Sequence, residues 1–113
     1  MHELGITQSI VEIAEKTARD QNAKKVLSVT VDVGELSGVI ADAVEFCFEA
    51  CSLDTILEGS RLVINQIPGR AECEDCGADV KIDNMTFNCS VCDSYALKRT
   101  QGEELSVKEV EIE

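Results

Sequence analysis

Apolar and polar positions alternate along this chain with two different periods, and the switches between them mark the elements. Ile6, Ile10, Ile13 and Thr17, with the adjoining Val11, Ala14 and Ala18, follow helical spacing, while Glu12, Glu15, Lys16 and Arg19 fall mostly elsewhere. This predicts an amphipathic helix from near Glu3 to about Gln21-Asn22. Leu27, Val29, Val31 and Val33 then alternate with Ser28, Thr30 and Asp32, the period of two of a strand with one buried face. Gly34-Glu35-Leu36-Ser37-Gly38 breaks that pattern, and a second helical period runs through Ile40, Val44, Cys47, Phe48 and Cys51. After a loop through Asp54 and Gly59, Leu62 to Ile67 reads as a strand, closed by Pro68-Gly69.

A last strand, Leu105 to Ile112, is expected to return to the sheet of the first domain. Leu105 and Val107 share one parity and Val110 and Ile112 the other, so burying both pairs requires a bulge near Lys108-Glu109. The expected organisation is a domain of residues 1–68 completed by 103–113, with residues 69–102 inserted as a cysteine module.

Within the module, Cys73, Cys76, Cys89 and Cys92 form C-x2-C-x12-C-x2-C. Each pair can place two thiolates on one side of a tight turn, and two such turns close a tetrahedron. Zinc accepts all-sulfur tetrahedral ligation, and four protein ligands leave no open position for substrate, so the expected ion is a structural zinc(II). Iron in the same sulfurs, as in a rubredoxin-like carrier, is the chemical alternative, against which the few aromatic residues weigh. Gly77 suits the left-handed turn behind the first pair. Asp93-Ser94 stands there in the second, which suggests a looser knuckle. Val80 and Ile82, then Met85 and Phe87, alternate across Asp83-Asn84 as a short hairpin that needs its metal to fold. Cys47 and Cys51 share the apolar face of Val44 and Phe48 and read as buried core thiols.

Composition narrows the partners. The formal net charge of −12 opposes phosphate backbones and anionic lipid, and acids outnumber bases around the cysteines, so no nucleic acid or membrane is expected. No apolar run reaches the roughly 18 residues of a membrane span, and no signal segment follows Met1, so the reading is cytoplasmic, with reduced thiols in place of disulfides. No nucleophile paired with a base, open metal position or phosphate loop is visible, so no catalytic residue is assigned and the protein is not read as an enzyme.

The sole histidine is His2. The amine of Met1, the backbone nitrogen of His2 and its imidazole can chelate one ion in adjoining rings, a planar nitrogen set that nickel(II) and copper(II) favour over zinc. The backbone nitrogen or carboxylate of Glu3 can supply a fourth donor. A frayed terminus with a solvated histidine is the competing interpretation.

Met1-His2-Glu3, Val31-Asp32-Val33-Gly34-Glu35-Leu36-Ser37-Gly38, Phe48-Glu49, Glu58-Gly59 and the double C-x2-C occur in order over essentially the whole chain. In this the chain resembles the HypA family of nickel chaperones. The resemblance implies nickel on Met1, His2 and Glu3, and zinc on Cys73, Cys76, Cys89 and Cys92. It implies an α+β fold, two helices packed on a three-stranded mixed sheet with an inserted zinc ribbon. It also implies nickel delivery to the nickel-iron hydrogenase large subunit together with the HypB GTPase, and in some relatives service to urease maturation. Asp54 departs from the glycine many relatives carry, and no histidine flanks the ribbon cysteines, which puts any ribbon-histidine scheme in doubt. A zinc-ribbon interaction adaptor without nickel transfer is the alternative function. Monomer, homodimer and strand-swapped dimer all stay open.

Overall fold

The computed structural model describes residues 3–113; Met1 and His2, and with them most of the expected nickel chelate, lie outside the described residues. Helix α1 spans Glu3–Asp20 and buries Ile6, Thr7, Ile10, Val11, Ala14 and Ala18. The stripe centres on Thr7, Ile10, Ala14 and Ala18, so Ile13 and Thr17, placed on it by periodicity, lie at its margin and are exposed. Thr7 is tolerated inside because its hydroxyl donates to the Glu3 carbonyl at 2.7 Å. The helix ends where Asn22 takes a left-handed conformation (φ 56°), with Ala23 N–H donating to Ala18 O and Asn22 N–H to Arg19 O. That is the paired closure of a Schellman motif, with asparagine in the place usually held by glycine.

Strand β1 (Val26–Gly34) is the centre of the first sheet, flanked by β2 (Arg61–Ile67) in parallel and β6 (Leu105–Ile112) antiparallel. The sheet is therefore mixed, as expected. A register shift between Val26 and Ser28 changes parity at the start of β1, so Val26 is buried and Leu27, assigned to the core by alternation, is exposed. The bulge required in β6 is present at Lys108: Thr30 opposes Glu109 while Val31 opposes Val107. Val107, Val110 and Ile112 all reach the core as a result.

Helix α2 (Ala41–Ser52) buries Val44, Phe48 and Ser52, spaced four apart. Cys47 and Cys51 flank that line and are half-buried, a correction to their reading as core thiols. Burial, and then the neighbouring Cys47 thiol, raise the Cys51 pKa above its ordinary value. The two helices pack against each other and cover the sheet, closing an aliphatic core around Val29, Val31, Leu57 and Phe48.

The second sheet has the order β4-β3-β5, from Asp79–Lys81, Arg70–Cys73 and Leu97–Gln101, all antiparallel. This corrects the expected hairpin. Val80 opposes Ala71 of β3, not a partner across Asp83-Asn84, and Met85 and Phe87 are exposed. The cause is local: Asp83 accepts the Met85 N–H at 2.8 Å and the Thr86 hydroxyl at 2.9 Å, winding the chain into an Asx turn. The same bonds hold the Asp83 carboxyl below its ordinary pKa.

The sheets meet where β1 and β5 end. Leu36 leaves the end of β1 and buries itself with Ala71, Val80 and Ile82 in the second core. Its N–H donates to Gly102 O at 2.7 Å, and Gly34 N–H donates to Glu104 O at 2.7 Å. Gly102 has φ 111°, and a Cβ there would lie 2.6 Å from the Gly69 Cα and 3.0 Å from Leu36. Backbone touches backbone at this joint, so a side chain has nowhere to go. Gly102→Ala is therefore expected to lower stability by at least about 2 kcal/mol, combining strain with the forced separation of the sheets. Urea unfolding of metal-loaded protein reads this, and an unchanged midpoint would contradict the close approach.

Candidate metal centre

Two knuckles of the same design carry the cysteines. In the first, between β3 and β4, Gly77 N–H donates to Cys73 O at 2.8 Å and Cys73 N–H to Ala78 O at 2.9 Å. In the second, Asp93 N–H donates to Cys89 O at 2.9 Å and Cys89 N–H to Ser94 O at 2.7 Å. Gly77 (φ 76°) and Asp93 (φ 63°) take the same left-handed turn. Aspartate tolerates that conformation, and Asn88 braces its carboxylate at 3.2 Å. The second knuckle, expected to be looser, closes with the same hydrogen bonds as the first. Ser94 also donates to Asp75, which ties the two knuckles together.

All four sulfurs converge, every one within 4.8 Å of the others. Cys73 and Cys92 Sγ are 3.6 Å apart, and Cys76 and Cys89 Sγ 3.7 Å. These separations are too long for disulfides. They suit the edges of a zinc tetrahedron, about 3.8 Å for Zn–S bonds of about 2.3 Å. Backbone N–H groups already point at the sulfurs, Cys76 N at 3.5 Å from Cys73 Sγ and Val91 N at 3.3 Å from Cys89 Sγ, as thiolates need. The set therefore fits a closed structural zinc site with Cys73 and Cys89 buried and Cys76 and Cys92 at the surface.

Without metal the thiols titrate apart. The backbone N–H of Cys76 is the main cause that brings Cys73 down to about 7, against the opposing effect of burial. At Cys92 the Ser94 N–H lowers the pKa, but burial and the other three cysteines outweigh it and push the thiol up to about 12. Cys76 is raised as well: the Ala78 N–H lowers it, and burial together with Cys73 and Cys89 overcomes that.

Of the expected nickel ligands only Glu3 is among the described residues. It opens α1, and its carboxylate accepts the Ile40 N–H at 3.4 Å, at the N-terminus of α2. Sequence reasoning missed Leu36, whose apolar side chain between two glycines was the available signal for a buried plug.

A small α/β unit joined to a closed four-sulfur ribbon defines a metal-handling protein whose resident ion is structural. The family model described as hydrogenase/urease nickel incorporation, metallochaperone, HypA, matches residues 1–112. The chain belongs to the HypA family of nickel metallochaperones acting in hydrogenase maturation. It is 52% identical to the hydrogenase maturation factor HypA of Geobacter metallireducens, and 47% identical to that of Geobacter sulfurreducens, over the whole of each chain. The solution structure of the Ni metallochaperone HypA from Helicobacter pylori superposes with a TM-score of 0.68 at 26% identity, covering 99% of this chain and 97% of that one. A further HypA solution structure gives 0.72 at 26% identity, covering 99% and 96%. Among the described residues no helix is long and apolar enough to cross a membrane.

Zinc loading must expel protons. Cys76 and Cys92, raised above their ordinary values, keep theirs at neutral pH, so metal has to displace both. Falling pH restores the protons and weakens binding, while rising pH strengthens it by about tenfold per pH unit for each proton displaced. Competition against a calibrated chelator from pH 6 to 8 measures this slope. A pH-independent zinc affinity would contradict protonated Cys76 and Cys92 thiols in the metal-free protein.

Proposed function

We propose that this protein carries nickel(II) on Met1, His2 and Glu3 and yields it to the nickel-iron hydrogenase large subunit, acting with the HypB GTPase, while Cys73, Cys76, Cys89 and Cys92 hold zinc. The observation that carries the proposal is the full-length family match, which begins at Met1 and so takes in the Met1-His2-Glu3 start. Nickel is cargo here, and zinc supplies the cross-link that keeps the ribbon folded. The two are chemically sorted. A planar set of amine, amide and imidazole nitrogens suits nickel(II), whereas four thiolates in a closed tetrahedron suit zinc.

The amine of Met1 and the imidazole of His2 titrate near about 8 and about 6.5 in unperturbed peptides, so both can give up protons close to neutrality and nickel is released as pH falls. Glu3 is suited to a joint role. Its carboxylate reaches the N-terminus of α2, so a partner pressing on α2 would also disturb the nickel ligands. On this reading residues 1–68 with 103–113 form the nickel-carrying unit and 69–102 the zinc ribbon, joined at Leu36 and Gly102. The protein acts by binding and transfer and performs no catalysis of its own. It works in the cytoplasm, where thiols stay reduced.

The test is calorimetric. Nickel titrated into zinc-loaded protein should bind one equivalent, and residues added ahead of Met1, or His2→Ala, should weaken that binding by at least about tenfold through loss of a chelating nitrogen. An extended chain that binds nickel as tightly as the native start would overturn the assignment and leave a zinc-stapled interaction adaptor.

A further inference from the structure

Two thiols on α2 are used by neither the nickel nor the zinc assignment. Cys47 and Cys51 lie four residues apart on that helix, both half-buried and both free. That spacing stacks them on one face in adjoining turns. They flank the buried line of Val44, Phe48 and Ser52, and Cys51 packs against the edge of the first core. Burial, followed by the neighbouring Cys47, raises the Cys51 thiol, so the two groups interact. Partial exposure keeps the pair within reach of solvent, unlike thiols sealed inside a core.

Geometry limits what such a pair can do. On a helix, Cβ atoms four residues apart are separated by about 5–6 Å, whereas a disulfide draws them to about 3.5–4.5 Å. Closing that bond would require the last turn of α2 to unwind. An ion held between the sulfurs asks for less, because two metal–sulfur bonds of about 2.3 Å in line span about 4.6 Å, which side chains in adjoining turns can cover. The number of ligands narrows the choice of ion. Among the described residues, only the four ribbon cysteines bring three or more metal-ligating side chains together, so Cys47 and Cys51 stand as a set of two. Two thiolates leave zinc short of its four ligands, while copper(I) is soft and is satisfied by a linear pair of sulfurs.

We propose that Cys47 and Cys51 form a further metal site on α2, holding copper(I) in line between two thiolates. Binding replaces two S–H bonds with two Cu–S bonds and releases two protons to solvent, with no change of oxidation state. The ion's charge offsets one of the two thiolates and removes the repulsion that opposes ionising both. Val44 and Phe48 keep the adjoining surface apolar, which suits polarisable sulfur. The site is selective for the reduced ion, since copper(II) prefers a tetragonal set of nitrogens that this helix face does not offer.

The probe is copper(I), added as its acetonitrile complex without oxygen to the zinc-loaded full chain and followed by native mass spectrometry. A species holding one zinc and one copper is expected, and X-ray absorption at the copper edge should find two sulfur neighbours. Against a calibrated copper(I) chelator, Cys47→Ser and Cys51→Ser should each weaken binding by more than about 100-fold, beyond the cost of losing a partner that only orients a ligand. Circular dichroism checks that each variant keeps its helices, and if one does not fold, the sulfur count in the native chain still decides. His2→Ala should bind copper(I) as the native chain does, which separates this site from the nickel assignment. The proposal is overturned if copper displaces zinc, if copper has three or four sulfur neighbours, or if both serine variants bind copper(I) as tightly as the native chain.

Discussion

Convergence of four sulfurs within 4.8 Å is the constraint on which the second half of the molecule rests. The core beneath it consists of Leu36, Ala71, Cys73, Val80, Ile82 and Cys89, so two of its six buried residues belong to the four-sulfur cluster. A cluster that small buries too little apolar surface to offset the entropy of ordering some thirty residues, and the metal cross-link makes up the difference. Leu36 extends the dependence further. It comes from the loop after β1, so the ribbon core is completed by the first sheet, and Gly102 and Gly69 fix how closely the two approach. A metal bound at the four sulfurs would thus organise the joint as well as the ribbon.

Local periodicity was enough to read α1, α2, β1, β2 and β6, because each buries a continuous stripe or alternate face. Even the β6 bulge could be inferred, since Val107 and Val110 cannot share a face without it. The ribbon strands were harder. Strand β3 alternates, burying Ala71 and Cys73, but over only four residues, and β5 buries none of its five, so the apolar pattern is too short to read. The mistaken 85–87 hairpin came from the same weakness, as a side-chain turn at Asp83 outweighed an apparent pattern. Leu27 was misplaced because a bulge is invisible in a run of valines.

The sites divide along similar lines. The four-cysteine cluster was legible because each knuckle is local in sequence, and only the pairing of knuckles is tertiary. The reach of the Glu3 carboxylate to the Ile40 N–H at the start of α2 was not, since it joins residues far apart in the chain. Spacing alone fits both zinc and iron in the ribbon, and the few aromatic residues are the signal in the sequence against iron.

A chaperone must hold its cargo less firmly than its own scaffold, and here the two ions are assigned opposite chemistries: a closed tetrahedron of sulfur and an open set of terminal nitrogens. Native mass spectrometry of zinc-loaded protein after addition of one equivalent of nickel tests that separation most directly. A species retaining one zinc and gaining one nickel is the predicted result. Displacement of zinc by nickel, one for one, would mean that a single site serves both metals and would contradict it.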